Sequence, residues 1–294
     1  MKSNISKRNL ALIRFSVIVF IILLALYIPL KIHISKEEGS PPIEHQVRFD
    51  MMITRNLSCA LTRGGGCASG ERIAEIIENN NPSLLIDYME ITPGLLKAGA
   101  RMEDLPIEKL KKTGYHAVVP VISDENPPEV LSGSFRLLQL PLPLTSANIV
   151  PGREGGNNLS QWIIAGIEGQ QTKTGERREI KAGIFSISPA DSVQPEYSRF
   201  NKYNIINPKI AALEAINRMK REGCHIVIAV CGAGGERELL GLPGIDIILE
   251  KAGQTTTSSS KQRVKVNFGG SGLPADIFRV FYSADSIRVS RVEY

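Results

Sequence analysis

Histidine is scarce in this chain, which has only four in 294 residues. His33 and His45 precede the first segment that alternates polar and apolar residues, whereas His116 and His225 each stand directly before an apolar run. A histidine at the start of a buried strand is more often a hydrogen-bonded edge residue than a metal ligand. A dinuclear metal centre of the usual imidazole-rich kind cannot be assembled from these four residues.

Acidic residues are absent from the first 36 positions, which contain six Lys or Arg residues. The rest of the chain carries 29 basic and 30 acidic side chains, so the formal charge of +5 comes from the N-terminus. Nucleic-acid binding needs a basic excess that neutralises phosphates. Because the folded part lacks that excess, we expect no nucleic-acid partner.

One long apolar run is present near the N-terminus. Residues 15–30, FSVIVFIILLALYIPL, contain no charge, and the ammonium of Lys31 can extend toward lipid headgroups. The basic residues before the run favour a cytoplasmic N-terminus. The pattern predicts a cytoplasmic tail at residues 1–14 and a single-pass signal anchor at residues 15–34, with the remainder in the periplasm or on the outer face. A cleaved signal peptide is the alternative, although no A-x-A cleavage site is visible.

A polar segment with a proline pair, SKEEGSPPIEHQ at residues 35–46, predicts an extended linker to an ectodomain at residues 47–294. Cysteine is also sparse. In an oxidising compartment Cys59 and Cys67 could close a small loop as a disulfide. Cys224 and Cys231 flank an apolar strand and are equally well explained as small buried residues.

Apolar strands and amphipathic helices alternate along the ectodomain, which predicts an α/β fold with both faces of a sheet covered. Segments 47–53, 83–87 and 116–121 are predicted strands, separated by helices around residues 73–77 and at 107–114. In the second half, residues 179–187 form a strand, and Asn207 caps a helix that ends at Gly223. Strands follow in HIVIAV and GIDIIL, and three antiparallel strands, RVKVNF, IFRVFY and SIRVSRVEY, finish the chain.

This order of segments resembles the N-terminal domain of the 5′-nucleotidase type of calcineurin-like metallophosphoesterases. Residues 207–230, NPKIAALEAINRMKREGCHIVIAV, followed by LPGIDIIL, are the most specific part of the resemblance. The resemblance implies a four-layer α/β/β/α sandwich. It also implies a two-metal site formed by loops at the C-terminal ends of the strands, which hydrolyses phosphoesters.

The residues at the ligand positions of that family differ here. The first family loop supplies an aspartate and a histidine, where this chain has Asn56 and Ser58, and the bridging aspartate of the second loop is matched by Glu90. The later ligands, all Asn or His in the family, fall on Ile122, Ser123, Gly232, Ala252 and Gln254, and Gly253 stands at the middle position of the closing His-x-His. The resemblance therefore predicts a degenerate site without catalytic residues or a metal cofactor.

Two functions remain open at this stage. The first is a membrane-anchored, catalytically inactive relative that binds or scaffolds an envelope protein partner. The alternative is a divergent phosphoester hydrolase in which Asp87 and Glu90, with Asp124 and Glu125, hold one divalent cation such as Mn²⁺ or Mg²⁺.

The glycine-rich stretches and the segment TTTSSSK are less informative about function. Backbone N–H groups of the glycine-rich stretches could hold an anion, although ordinary turns explain these glycines as well. The glycines concerned are Gly64, Gly65, Gly66, Gly232, Gly234 and Gly235. TTTSSSK, at residues 255–261, is predicted to be a low-complexity loop without a catalytic serine.

Overall fold

The computed structural model describes residues 45–55, 70–91, 107–122, 140–151, 158–189, 203–252, 256–260, 263–269 and 275–293. Within these ranges no helix has both the length and the apolar character that crossing a membrane requires. The predicted tail at 1–14, the anchor at 15–34 and the linker up to residue 44 lie outside the described residues. Cys59 and Cys67 lie outside them as well.

Fifteen strands and four helices make up the described part. The strands are β1 (Val47–Thr54), β2 (Leu84–Ile91), β3 (Ala117–Ile122), β4 (Leu144–Thr145), β5 (Ile149–Pro151), β6 (Leu159–Ser160), β7 (Ile163–Gln171), β8 (Arg177–Ile187), β9 (Tyr203–Ile205), β10 (Ile226–Cys231), β11 (Ile247–Lys251), β12 (Thr256–Ser260), β13 (Arg263–Phe268), β14 (Ala275–Ser283) and β15 (Ser286–Val292). The helices are α1 (Gly70–Asn80), α2 (Ile107–Lys112), α3 (Pro208–Arg221) and α4 (Glu236–Leu239). The predicted α/β class is confirmed.

Two strand sets are joined into one hydrogen-bonded ladder. The first set runs β15-β14-β1-β2-β3-β4-β6, and the second runs β7-β8-β10-β11-β13-β12. Among the described residues, strand pairing joins the two sets where Val47 and Arg48 of β1 pair with Gln171 and Gln170 of β7. Strands β1, β2 and β3 are parallel to one another, as are β8, β10, β11 and β13.

Both sets contribute alternate residues to a single core. Phe49 and Met51 of β1 belong to the same buried cluster as Ile228 of β10 and Leu249 of β11. Since side chains alternate between the two faces of a strand, the two sets pack face to face through these residues.

A second cluster covers the outer face of the second set. Ala212 and Met219 of α3 pack there with Phe185, Val227 and Ile248. The helix begins at a predicted cap, because the side chain of Asn207 accepts hydrogen bonds from the N–H groups of Lys209 (3.0 Å) and Ile210 (3.1 Å). Burial of this face fixes α3 against the strands.

Two predictions near the C-terminus need correction. The stretch TTTSSSK is not only a loop, because residues Thr256–Ser260 form β12, antiparallel to β13. The stretch RVKVNF, predicted to be an antiparallel strand, is β13. It is antiparallel to β12 but parallel to β11. The segment TTSSS has no alternation of polar and apolar residues that would predict a strand. Its strand conformation therefore depends on pairing with β13.

The two histidines of the fold perform the same structural task. Each lies at the start of its strand, where Nδ1 of His116 accepts from the N–H of Leu85 (3.1 Å) and Nδ1 of His225 accepts from that of Lys181 (3.0 Å). Burial lowers the pKa of His116, which favours the neutral ring that such acceptance requires. The prediction that both are hydrogen-bonded edge residues is confirmed.

Candidate functional site

The parallel strands of both sets end at the same side of the molecule, which we call the C-terminal edge. Alternation places Glu90 of β2 and Lys251 of β11 on the facing surfaces of the two sets, directly above the common core. Their side chains form an ion pair, and each is partly buried, with exposed fractions of 24% for Glu90 and 31% for Lys251. A lysine ammonium is therefore the cation that neutralises this carboxylate.

Aromatic and aliphatic side chains fill the space beneath that ion pair. The rings of Tyr88 and Phe268 meet edge to face, with centroids 5.1 Å apart and planes at 73°. At the end of β10, a Cβ on Gly232 would lie 2.9 Å from Cγ1 of Val121 and 3.5 Å from the Tyr88 hydroxyl. A larger side chain at position 232 would have to displace these neighbours.

The glycine-rich loop after β10 already holds a carboxylate. The N–H of Gly234 donates to Oε1 of Glu250 (2.8 Å), whose other oxygen lies 2.7 Å from the ammonium of Lys265. Lys265 also pairs with Glu236 at the start of α4. The anion that this loop binds is thus a side chain of the protein itself.

Asp87 and Glu90 are three positions apart in β2, and this odd offset places their side chains on opposite faces of the strand. It is fully buried, and its Oδ2 accepts a hydrogen bond from the hydroxyl of Thr54 at 2.6 Å. The hydroxyl of Tyr115 lies 3.3 Å from that of Thr54. The structure does not bring Asp87 and Glu90 together around one ion.

No protein-family model matches the sequence, and no curated protein matches it. Solved structures do. The calcineurin-like phosphoesterase YfkN from Bacillus subtilis matches with a TM-score of 0.59 at 16% identity, over 84% of this chain and 90% of the other. The NAD nucleotidase NadN from Haemophilus influenzae matches with a TM-score of 0.58 at 14% identity, over 85% of this chain and 50% of its own, so this chain spans about half its length.

The fold is that of the calcineurin-like phosphoesterases. The resemblance found in the sequence is thereby confirmed for the fold. At this level of identity the comparison shows the architecture alone.

Four of the predicted ligand positions fall within the described residues. Glu90, Gly232 and Ala252 lie together at the C-terminal edge, and the N–H of Ala252 donates to the carbonyl of Phe268 (3.0 Å). The backbone of Ile122 ends β3 at the same edge. The remaining positions, Asn56, Ser58, Ser123, Asp124, Glu125, Gly253 and Gln254, lie outside the described residues, as do Gly64, Gly65 and Gly66.

The side chains described at this edge do not fit the dinuclear centre that the phosphoesterase fold implies. Glu90 is matched by an ammonium, which would repel a dication beside it. Gly232 and Ala252 carry no donor, and the space around Gly232 is filled by Val121 and Tyr88. Among the described residues, no group of three or more His, Cys, Asp or Glu side chains could hold a metal ion.

The described cysteines do not supply a nucleophile. Both are free, and burial raises the pKa of Cys224 to about 11 and raises that of Cys231 well above its usual value. A thiol with a raised pKa has little thiolate at neutral pH. This agrees with the interpretation of Cys231 as a small buried residue, whereas Cys224 is partly buried.

Sequence reasoning missed the partner of Glu90. Lys251 follows the apolar run IIL and the acidic Glu250, so it reads as the polar end of a strand. Its position two residues after the core residue Leu249 is the available signal, because alternation puts Lys251 on the same inward face.

Proposed function

We propose that this chain is a membrane-anchored, extracytoplasmic protein with a phosphoesterase fold that binds or scaffolds a partner in the cell envelope and does not hydrolyse phosphoesters. The observation that carries the proposal is the ion pair between Glu90 and Lys251. Hydrolysis by two metal ions requires carboxylates that coordinate dications, whereas this carboxylate is neutralised by a side chain of the protein.

The solved structures support the choice of fold and define what must be tested. One is described as a phosphoesterase and the other as an NAD nucleotidase. We propose that this chain keeps their scaffold without their chemistry. An active relative would show metal-dependent cleavage of a phosphoester or of a nucleotide such as NAD.

The test uses the full chain purified in detergent. Hydrolysis of bis-p-nitrophenyl phosphate, AMP and NAD is measured with Mn²⁺, Mg²⁺ or Zn²⁺, and bound metal is measured by elemental analysis. We expect no metal-dependent turnover above that of Glu90→Gln and substoichiometric metal. Activity that requires metal and disappears in Glu90→Gln would contradict the proposal and establish the alternative, a divergent hydrolase.

The membrane part of the proposal is tested separately. The apolar run at residues 15–30 supports an anchor with a cytoplasmic N-terminus. We expect a C-terminal epitope tag to fractionate with membranes in carbonate and to be digested by protease added outside the cytoplasmic membrane. Recovery of a shortened, carbonate-soluble chain would show cleavage instead.

A further inference from the structure

The joined ladder of strands ends at three edge strands, which differ in how they are protected from further pairing. Among the described residues, β12, β6 and β15 each pair with a neighbour on one side. An edge strand exposes unpaired N–H and C=O groups, and proteins commonly protect it by shortness, charge, proline or a bulge. Strand β6 has only two residues, and β15 carries Arg288 and Arg291.

Strand β12 has none of these protections. Its five residues, TTSSS, carry no charge and no proline, and they pair with five consecutive residues of β13 without a bulge. Residues 256–258 are exposed. Ser260 and Arg263 close a hairpin with a two-residue loop, so they exchange both hydrogen bonds. The pattern alternates along the ladder, which directs the backbone N–H and C=O groups of Thr257 and Ser259 away from β13.

A groove of about 380 Å³ lies beside this edge, between β12 and β15. Three of its lining residues are apolar and belong to β13, β14 and β15, namely Val264, Phe281 and Val289. Successive side chains of a strand point to opposite faces. An extended segment that continues the sheet beyond β12 would therefore direct every second side chain toward the groove.

The charge that lines the groove has one sign. Its other lining residues are Arg288 and three with hydroxyl side chains, Thr257, Ser258 and Ser290, so no Asp or Glu of the described residues lines it. Arg288 is exposed, and its guanidinium lies 5.8 Å from the ring centroid of Phe281. The ion pairs between described residues do not include Arg288. A carboxylate on a partner would meet a complementary charge here, whereas a basic partner would be repelled.

A second copy of this chain fits the edge less well than an acidic partner does. Two β12 strands would pair through short hydroxyl side chains, and five such residues from each copy bury far less than the about 1,200 Å² of a stable interface. Each copy would also present the other with a groove that contains a guanidinium and no carboxylate. Charge complementarity therefore favours a different chain.

We propose that β12 binds an extended, acidic segment of a partner protein as an additional strand, with an Asp or Glu side chain of that segment on Arg288. Backbone hydrogen bonds to Thr257 and Ser259 supply affinity, and the groove selects side chains, as in other cases of strand addition. Apolar side chains of the segment pack on Val264 and Val289. The inference rests on the proposed function, because it gives the class of partner that the binding role would use.

The probe is a peptide selected on the full chain in detergent from short, random linear peptides displayed on phage. We expect the selected peptides to alternate polar with β-branched or aromatic residues, as strands do, and to share one Asp or Glu position. The tightest peptide is synthesised, and its dissociation constant is measured by fluorescence anisotropy. N-methylation of the alternate residues that face β12 should abolish binding, whereas N-methylation of the intervening residues should not.

Variants of the protein locate the bound peptide. Thr257→Pro should weaken binding about ten-fold, because it removes an outward N–H without removing a hydrogen bond to β13. Thr257→Val keeps that N–H and is its matched control. Arg288→Met should weaken binding about three-fold, as for an exposed ion pair. Changing the acid of the peptide to its amide should have no further effect in Arg288→Met. Lys209→Met, which removes a charge from the exposed start of α3, should leave binding unchanged.

Three results would overturn the inference. The first is a selection that yields no peptides with a shared acidic position. The second is a Thr257→Pro variant, folded by circular dichroism, that binds the peptide as tightly as Thr257→Val does. The third is a dimer in sedimentation velocity that Thr257→Pro dissociates, which would make a second copy the occupant. Metal-dependent hydrolysis would contradict the proposed function and leave these peptide results unaffected.

Discussion

The two edges of the molecule treat charge in opposite ways. At the C-terminal edge, Glu90 and Glu250 are each neutralised by a lysine, and Val121 and Tyr88 fill the space beside Gly232. At the opposite side of the molecule, which we call the N-terminal edge because the parallel strands begin there, Asp246 lines an open cavity and has no ion pair within the described part of the chain. At the C-terminal edge, which carries the predicted metal-ligand positions, these carboxylates form ion pairs with lysines. At the N-terminal edge, the carboxylate of Asp246 accepts a backbone hydrogen bond instead.

The two arrangements should have opposite effects on the free energy of unfolding. A matched ion pair above a core holds two strand sets together, whereas a buried carboxyl with a raised pKa costs stability at neutral pH. Proteins commonly keep such a cost where a ligand compensates it. The following predictions test the two halves of the contrast.

The largest expected effect is at the closed edge. Lys251→Met should lower the free energy of unfolding by about 2 to 3 kcal/mol, somewhat below the loss for a fully buried pair, because it leaves Glu90 without its cation. Urea unfolding of the full chain measures this. The double variant Lys251→Met with Glu90→Met should recover most of the loss, and a double variant as unstable as the sum of the single ones would show that the pair is not coupled.

The next effect has the opposite sign and lies at the open edge. The carboxyl of Asp246 has a folded pKa of about 6 against 3.8 when unperturbed, so its contribution to stability is present below pH 4 and is lost as the pH rises to about 6. Asp246→Asn, which keeps an acceptor for Val227, should raise the free energy of unfolding at pH 7.5 by about 2 kcal/mol, within the roughly 3 kcal/mol that the shift allows. The gain should vanish near pH 4. A gain that is independent of pH would refute this origin.

A smaller loss is expected from filling the closed edge. Gly232→Ala places a methyl group 2.9 Å from Cγ1 of Val121, which must move. We expect a loss of about 1 to 2 kcal/mol in chemical unfolding, as for overpacking in other cores. Val121→Ala in the same chain should relieve the contact, so the double variant should lose less than the two single losses added together.

The smallest expected effect is at the start of α3. Asn207→Ala removes the cap of α3 at the end of the helix away from Lys220, and should cost about 1 kcal/mol. Urea unfolding measures this loss, because the hydrogen bonds from the N–H groups of Lys209 and Ile210 to the Asn207 side chain are removed. An unchanged free energy of unfolding would contradict the stabilising role of the cap.

Much of the fold follows from the sequence. The cap at Asn207 and the apolar runs of β10 and β11 appear as predicted, because buried strands and an amphipathic helix leave strong periodic signals. Strand β7, at Ile163–Gln171, was not predicted. Strand β12 was missed, since its serines and threonines become a strand only through pairing with β13. The join between β1 and β7 was equally invisible, because two residue pairs far apart in the chain leave no local pattern.

The candidate sites were less predictable. Glu90 was found through the family pattern, but its neutralisation by Lys251 joins residues from two strand sets and depends on how the sets pack. The cavity around Asp246 and Lys220 was not anticipated. Asp246 reads as an ordinary polar residue within GIDIIL, and only the packing of the turn after β14 places it in a cavity.

The position of β1 also determines how the domain resists force. A pull on the chain at Gln46 acts along β1, which is hydrogen-bonded to β14 over eight residue pairs on one side and to β2 over four on the other. These hydrogen bonds run across the strand axis, so tension loads them in shear and simultaneously, rather than opening them one after another. A domain whose first strand is held in this way resists being unravelled from its N-terminal end.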